Sequence, residues 1–544
     1  MVREGQIVDL HQRRIFPGRL AIAAGRITSV TPVETAPLDY LLPGFIDAHV
    51  HIESSLLPPS EFARLAVRHG TVATVSDPHE IANVCGVAGV RFMLANAASV
   101  PFKVFFGAPS CVPATPFETA GSALEAAAVA ELLQEDGIHY LSEVMNVPGV
   151  LHQDPELMAK IAAARAAGKP VDGHAPGLTG EALAVYARAG ISTDHECVSL
   201  AEGREKLALG MHLLIREGSA AKDFDALVPL LADHPAQVMF CSDDRHPDDL
   251  LRGHINRLVG RAIAAGYPLF DVLRAACLNP VDHYGLTVGT LQVGEPADFI
   301  AVRDLTEFQV LETWCQGECV FRDNTVQMAQ VPVTAINQIA AEAIEPQQLA
   351  LPAKQADGGA IRVIQAHDGE LVTRALTDLP SVQNDCLVAD PKRDLLKLVV
   401  LNRYTPGAEP TVAFVRGFGL RTGAIASSVA HDSHNIVAVG CDDIDLAAAI
   451  NQVIVDQGGL CAVHGEALQH LPLPIAGLMS AAEGVSVAQA YEALTQYAKT
   501  ALGASLQAPF MTLSFMALLV IPELKISDRG LFDGREFRFV PLAA

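Results

Sequence analysis

Pro43-Gly44-Phe45-Ile46-Asp47-Ala48-His49-Val50-His51 ends an apolar run in two histidines spaced i, i+2. Residues i and i+2 of a β-strand point to the same face. His49 and His51 therefore aim their imidazoles at one point. Two imidazoles from one strand suit a divalent metal, and a metal held this way suits hydrolytic chemistry. Taken alone, such a pair also occurs on solvated strands, so the surrounding chain has to decide.

Outward from this stretch, residues 41–285 alternate short apolar runs with Ala-rich helical patterns. The runs predict strands at 42–51, 71–77, 102–107, 138–145, 170–174, 191–195, 211–215 and 237–243. Helical patterns such as 60–69, 81–97 and 155–167 fall between them. Strands linked by helical crossovers form a parallel sheet, and this number predicts an α/β fold, a (β/α)8 barrel of TIM type. An open doubly wound sheet would need a Gly-rich phosphate turn after an early strand, and none is present.

Residues 1–40 and 286–330 have β texture and predict one small composite β domain flanking the barrel. Trp314 is expected in its core. Cys315 and Cys319 flank a Gln316-Gly317 turn between two expected strands, with no second pair to complete a zinc site. Residues 331–359, rich in Ala, Gln and Pro, read as a partly helical linker, and 360–544 as a C-terminal α+β domain.

A barrel of this kind carries its site at the C-terminal ends of its strands. Strand 1 ends in His49 and His51, strand 4 in Glu143, strand 5 in His174, strand 6 in His195 and strand 8 in Asp243. Asp77, His79 and Glu80 follow strand 2. Four histidines and two carboxylates exceed what one four-coordinate ion needs. They suit two divalent ions bridged by a carboxylate and a hydroxide.

The formal net charge of −24 argues against nucleic acid or anionic membrane as a partner. No apolar run reaches the roughly 18 residues that span a bilayer, and the N-terminus is polar. A cytoplasmic protein acting on a small molecule is expected, with its cysteines reduced.

The motifs that carry a resemblance run along nearly the whole chain. They are 43–55 (PGFIDAHVHIESS), 75–82 (VSDPHEIA), 142–150 (SEVMNVPGV), 172–180 (DGHAPGLTG), 193–199 (TDHECVS), 216–220 (REGSA), 241–247 (CSDDRHP), 279–284 (NPVDHY), 428–435 (SVAHDSHN) and 522–532 (PELKISDRGLF). On these the chain resembles the amidohydrolase superfamily and, within it, the bacterial adenine deaminases. Many binuclear members of the superfamily bridge their metals with a carboxylated lysine on strand 4. Here Glu143 stands in that strand and no lysine does.

The resemblance implies hydrolysis of adenine to hypoxanthine and ammonia, with two divalent ions as cofactor, Mn2+ or Fe2+, or else Zn2+. His49, His51 and Asp243 would hold one ion, His174 and His195 the other, and Glu143 both. Asp243 would also shuttle a proton. A second donor, to the purine ring, would come from Glu53, His79, Glu80, Glu196 or Asp244. The loop His431-Asp432-Ser433-His434-Asn435 is expected near the barrel mouth, and the chain as a homodimer. Competing readings are an amidohydrolase acting on a cyclic amide or N-acetyl group, or a non-catalytic binding barrel. His51-Ile52-Glu53 also fits half of the zinc base-deaminase signature, but no Pro-Cys-x-x-Cys completes it.

Overall fold

The computed structural model describes residues 1–544. Its centre is a ring of parallel strands: β1 (Phe45–Val50), β2 (Thr71–Ser76), β3 (Lys103–Ala108), β4 (Ile138–Val144), β5 (Val171–Gly173), β6 (Thr193–Asp194), β7 (His212–Arg216) and β8 (Val238–Cys241). Neighbours pair in chain order from β1 to β5 and from β6 to β8. Two seams close the ring. Ser192 N donates to Val171 O at 2.9 Å between β5 and β6. Asp243 N donates to His49 O at 2.9 Å, and His51 N to Asp243 O at 3.3 Å, between β8 and β1. This second seam falls on the residues singled out above.

The expected strand 42–51 is two strands. Tyr40–Pro43 pairs with Phe299–Val302 in the flanking sheet, and Phe45 then opens the barrel. Gly44 is the corner. A Cβ there would lie 2.3 Å from Val72 Cγ1, so only glycine lets the two strands cross this closely. An apolar run read by periodicity carries no mark of such a change of sheet.

The flanking sheet has eight strands, drawn from Val2–Pro43 and Phe299–Val326. Ile7, Leu20, Phe299 and Trp314 form its core, with Phe299 and Trp314 stacked at 5.5 Å. Gln316 and Gly317, at φ 52° and 79°, make the tight turn between Val310–Cys315 and Glu318–Arg322.

The C-terminal region is built on another eight-stranded sheet. Strand Leu396–Leu401 shows how it is packed. Val399 and Leu401 face helix Asp443–Val455 through Leu446 and Ile450, while Leu398 and Val400 join the apolar core that continues into the barrel. Alternation with period 2 thus buries both faces. Segment 331–359 is extended with two short 3-10 turns, and Ala341, Ile344 and Leu349 are buried in the same helix-side core. The last large elements, helices Gly484–Thr500 and Pro509–Phe515, pack toward the barrel mouth, where Gly484 N donates to Glu61 at 2.9 Å. No helix is long and apolar enough to cross a membrane.

Candidate active site

The strand ends bring all six expected ligands together. His49 Nε2 lies 3.2 Å from His51 Nε2, and Asp243 Oδ1 lies 3.6 and 3.2 Å from these two nitrogens. Glu143 reaches across the cluster. Its Oε1 is 3.5 Å from His51 Nε2, and its Oε2 is 2.9 Å from His174 Nδ1 and 3.1 Å from His195 Nε2. One carboxylate therefore turns one oxygen to each half. The rings of His49 and His195 stack at 4.0 Å.

These residues fit a pair of divalent cations. Two imidazole nitrogens facing each other at 3.2 Å have one proton at most to share between them. His49 Nδ1 is buried with no hydrogen-bond partner. Nitrogen and carboxylate donors gathered this closely are the donor set of a first-row divalent ion.

Buried partners orient the ligands. Asp47 Oδ1 accepts Ser242 N at 2.9 Å and Oδ2 accepts His254 Nε2 at 2.9 Å, while Ser242 Oγ donates to Oδ2 as well. That ties β1 to β8 directly beneath His49 and Asp243. Asp172 accepts Thr193 Oγ1 and Tyr284 Oη, each at 2.8 Å, and burial pushes its carboxyl up to about 7. Asp194 holds Ala175 N at 2.7 Å and Lys206 Nζ at 2.9 Å, fixing the segments after β5 and β6.

Arg216, at the end of β7, is a participant whose role sequence reasoning missed. Its Nη1 donates to Asp243 Oδ2 at 2.9 Å and to Glu196, and Nη2 to Asp223 at 2.9 Å. The rule that strand ends carry function points to it, but an arginine is not a metal ligand. Burial opposes ionisation of Asp243, yet hydrogen bonds from His49 and His51 and the Arg216 charge hold it well below the usual carboxylate range. Asp243 itself has φ 54°, a strained value that the β8–β1 seam maintains.

The remaining candidates divide by position. His79, Glu80, Glu196 and Asp244 line the cavity over the cluster. His79 Nδ1 is 3.0 Å from Asp77 Oδ2 and 3.4 Å from Glu143 Oε1, and its Nε2 is 3.5 Å from Glu80 Oε1. Glu53 stands behind that wall. Its Oε1 accepts Ile81 N at 3.1 Å, its Oε2 has no partner, and burial pushes it up to about 7.

The C-terminal domain closes the site. His431 and Asp432 line the cavity beside Leu371, Phe515, Leu518, Val520 and Ile521. His431 Nδ1 and His434 Nε2 each bind one oxygen of Glu80, and His431 stacks on Phe515 at 4.7 Å. Burial opposes a charge on each of these histidines. Glu80 overcomes this at His431, raised to about 9, but not at His434, lowered to about 4. The histidines in turn hold Glu80 as a carboxylate well below its usual range, so that His431 is the charged partner at neutral pH and His434 the neutral one.

Residues 40–320 match the Amidohydrolase family, and residues 370–538 match the Adenine deaminase C-terminal domain. The chain is 56% identical over 536 residues to a protein of Salinibacter ruber named "Adenine deaminase", covering 98% of each chain. It is 53% identical to the protein of that name from Sulfurovum sp. (strain NBC37-1), covering 99% of each chain. A third of that name, from Methanosarcina barkeri, is 51% identical with 99% of each chain covered.

Proposed function

The chain belongs to the amidohydrolase family, with the domain pair of its adenine deaminases, and we propose that it hydrolyses adenine to hypoxanthine and ammonia at the mouth of the barrel. One observation carries the chemistry. Glu143 turns an oxygen to each half of a ligand cluster that the C-terminal domain encloses.

His49, His51 and Asp243 would hold one divalent cation, His174 and His195 a second, with Glu143 between them. When bound, the pair supplies a water acidified toward neutral pH. The chain does the rest. Asp243, with Oδ2 fixed by Arg216, accepts a proton from the attacking water and returns it to the departing amine. C6 gains the oxygen and loses the C–N bond, so water and adenine become hypoxanthine and ammonia. His79, backed by Asp77 and Glu80, gives the purine ring its proton as aromaticity is lost, and the proton that the C6 hydroxyl sheds as the carbonyl forms restores His79. Glu53 keeps the first turn of the helix His79–Ala97 in place through Ile81 N. The apolar roof of Leu371, Phe515, Leu518 and Ile521 suits a flat, uncharged base.

The cations are Mn2+ or Fe2+, or else Zn2+, and the working form is a cytoplasmic homodimer. The deciding experiment strips the protein of metal and reloads it separately with Mn2+, Fe2+ or Zn2+. Ammonia release is then measured from adenine, adenosine and cytosine. Metal-dependent release from adenine is expected. Release from cytosine alone, or release that survives chelation, would overturn the assignment.

A further inference from the structure

The cavity over the ligand cluster measures about 40 Å³, far below the roughly 300–1,000 Å³ of common ligand pockets. Beside it, between barrel and C-terminal domain, lies a vestibule of about 780 Å³. Leu371, Phe515 and Ile521 border both spaces, with Glu196 and Arg216 on the barrel side. These side chains are the partition between vestibule and cavity, and a purine moving from the vestibule to the ligands has to pass it.

Two segments of the partition are held by one buried amine. Lys525, on strand Leu524–Ser527, is fully buried, and its Nζ donates to Leu371 O at 2.8 Å and to Phe515 O at 2.9 Å. No carboxylate pairs with it, and burial alone pushes the amine down to about 7. A neutral amine has two N–H groups, which these two carbonyls match. The same strand is laced to the same segments by its backbone. Thr373 Oγ1 donates to Leu524 O at 2.8 Å and Ile526 N to Met516 O at 3.2 Å. A lysine buried without a counter-ion is a costly brace, and this one stands where two walls of the site meet.

We propose that Lys525 is a positioning residue for the substrate: by anchoring the carbonyls of Leu371 and Phe515 it holds closed the partition that seals the cavity over adenine. The inference rests on the reading of function above. It is tested with the full-length, metal-loaded protein as wild type, Lys525→Met and Lys525→Gln. Ammonia release from adenine gives kcat and KM, and hydrogen exchange gives protection along the chain. In Lys525→Met, KM is expected to rise about tenfold with kcat within about threefold, because a ground-state closure is weakened while the reacting groups stay in place. Metal content stays at the wild-type level, and exchange quickens at 369–373 and 515–521 only. Lys525→Gln, which keeps two N–H donors, recovers part of the KM.

An unchanged KM in Lys525→Met overturns the proposal. So does loss of metal together with faster exchange throughout, which is the mark of a merely structural brace. If Lys525→Met does not fold, Leu371→Ala breaches the same partition, and an unaltered KM in that variant overturns the proposal. Should the wild type release no ammonia from adenine, the reading of function fails. Exchange then judges Lys525 alone, and unchanged protection at both segments counts against it.

Discussion

Asp243 answers to three neighbours at once. Oδ1 faces His49 and His51, Oδ2 faces Arg216, and its backbone bonds both flanks of His49-Val50-His51. Asp243→Asn keeps this shape but removes the proton acceptor. Turnover is expected to fall by at least about 10²–10⁴, the usual worth of positioned acid–base help, with most of the bound metal retained. Near-normal ammonia release by the variant would sink the role. Arg216→Gln tests the same carboxylate by pH. The Arg216 charge lowers the Asp243 pKa, so its removal raises it. The acid limb of the kcat/KM profile then moves to higher pH, and a limb that stays in place contradicts the coupling. The six ligands were legible because each sits at a strand end with a residue type that binds cations. The Glu80–His431–His434 contact was not, because its partners lie 351 and 354 positions apart and no local period links them.

At the scale of elements, one side chain reinforces the backbone seam between β1 and β8. Asp47 binds Ser242 and His254 and so sets the pose of His49 and Asp243, each one or two residues away. Asp47→Asn leaves the shape but replaces one acceptor oxygen with a donor facing His254 or Ser242. Metal affinity is expected to drop about 10–100-fold, as for other groups that orient ligands, and chelator competition measures it. An unchanged affinity would reduce Asp47 to a packing residue. The alternation of short apolar runs with helical patterns made the ring of parallel strands readable from Phe45 to Cys241. The split at Gly44 was unreadable, because both halves of 40–50 are apolar and only the Val72 methyls decide the corner. The burial of Ala341, Ile344 and Leu349 was hidden likewise, since a segment rich in Ala, Gln and Pro shows no period whether it is solvated or laid on a sheet.

The whole molecule depends on the clasp between barrel and C-terminal domain, whose centre is Glu80 between His431 and His434. His431 is raised to about 9 in the folded state, against about 6.5 for an unperturbed histidine. Between those values the folded protein binds the extra proton, so by linkage stability falls as pH rises. The contribution of His431 is complete below about pH 6.5 and is lost as pH passes 9. Lys525, lowered to about 7 by burial, works in the opposite sense, because its unfolded form holds more protons from there to its ordinary range. Wild-type melting alone therefore mixes the two. The comparison that isolates the clasp is wild type against His431→Asn across pH 6–9.5, at fixed metal loading. The wild type is expected to melt well above the variant at pH 6, with the gap narrowing steadily toward pH 9.5. A gap that is constant over the range would mean that His431 contributes by packing on Phe515 inside the C-terminal domain and not by the charge it shares with Glu80 across the two domains.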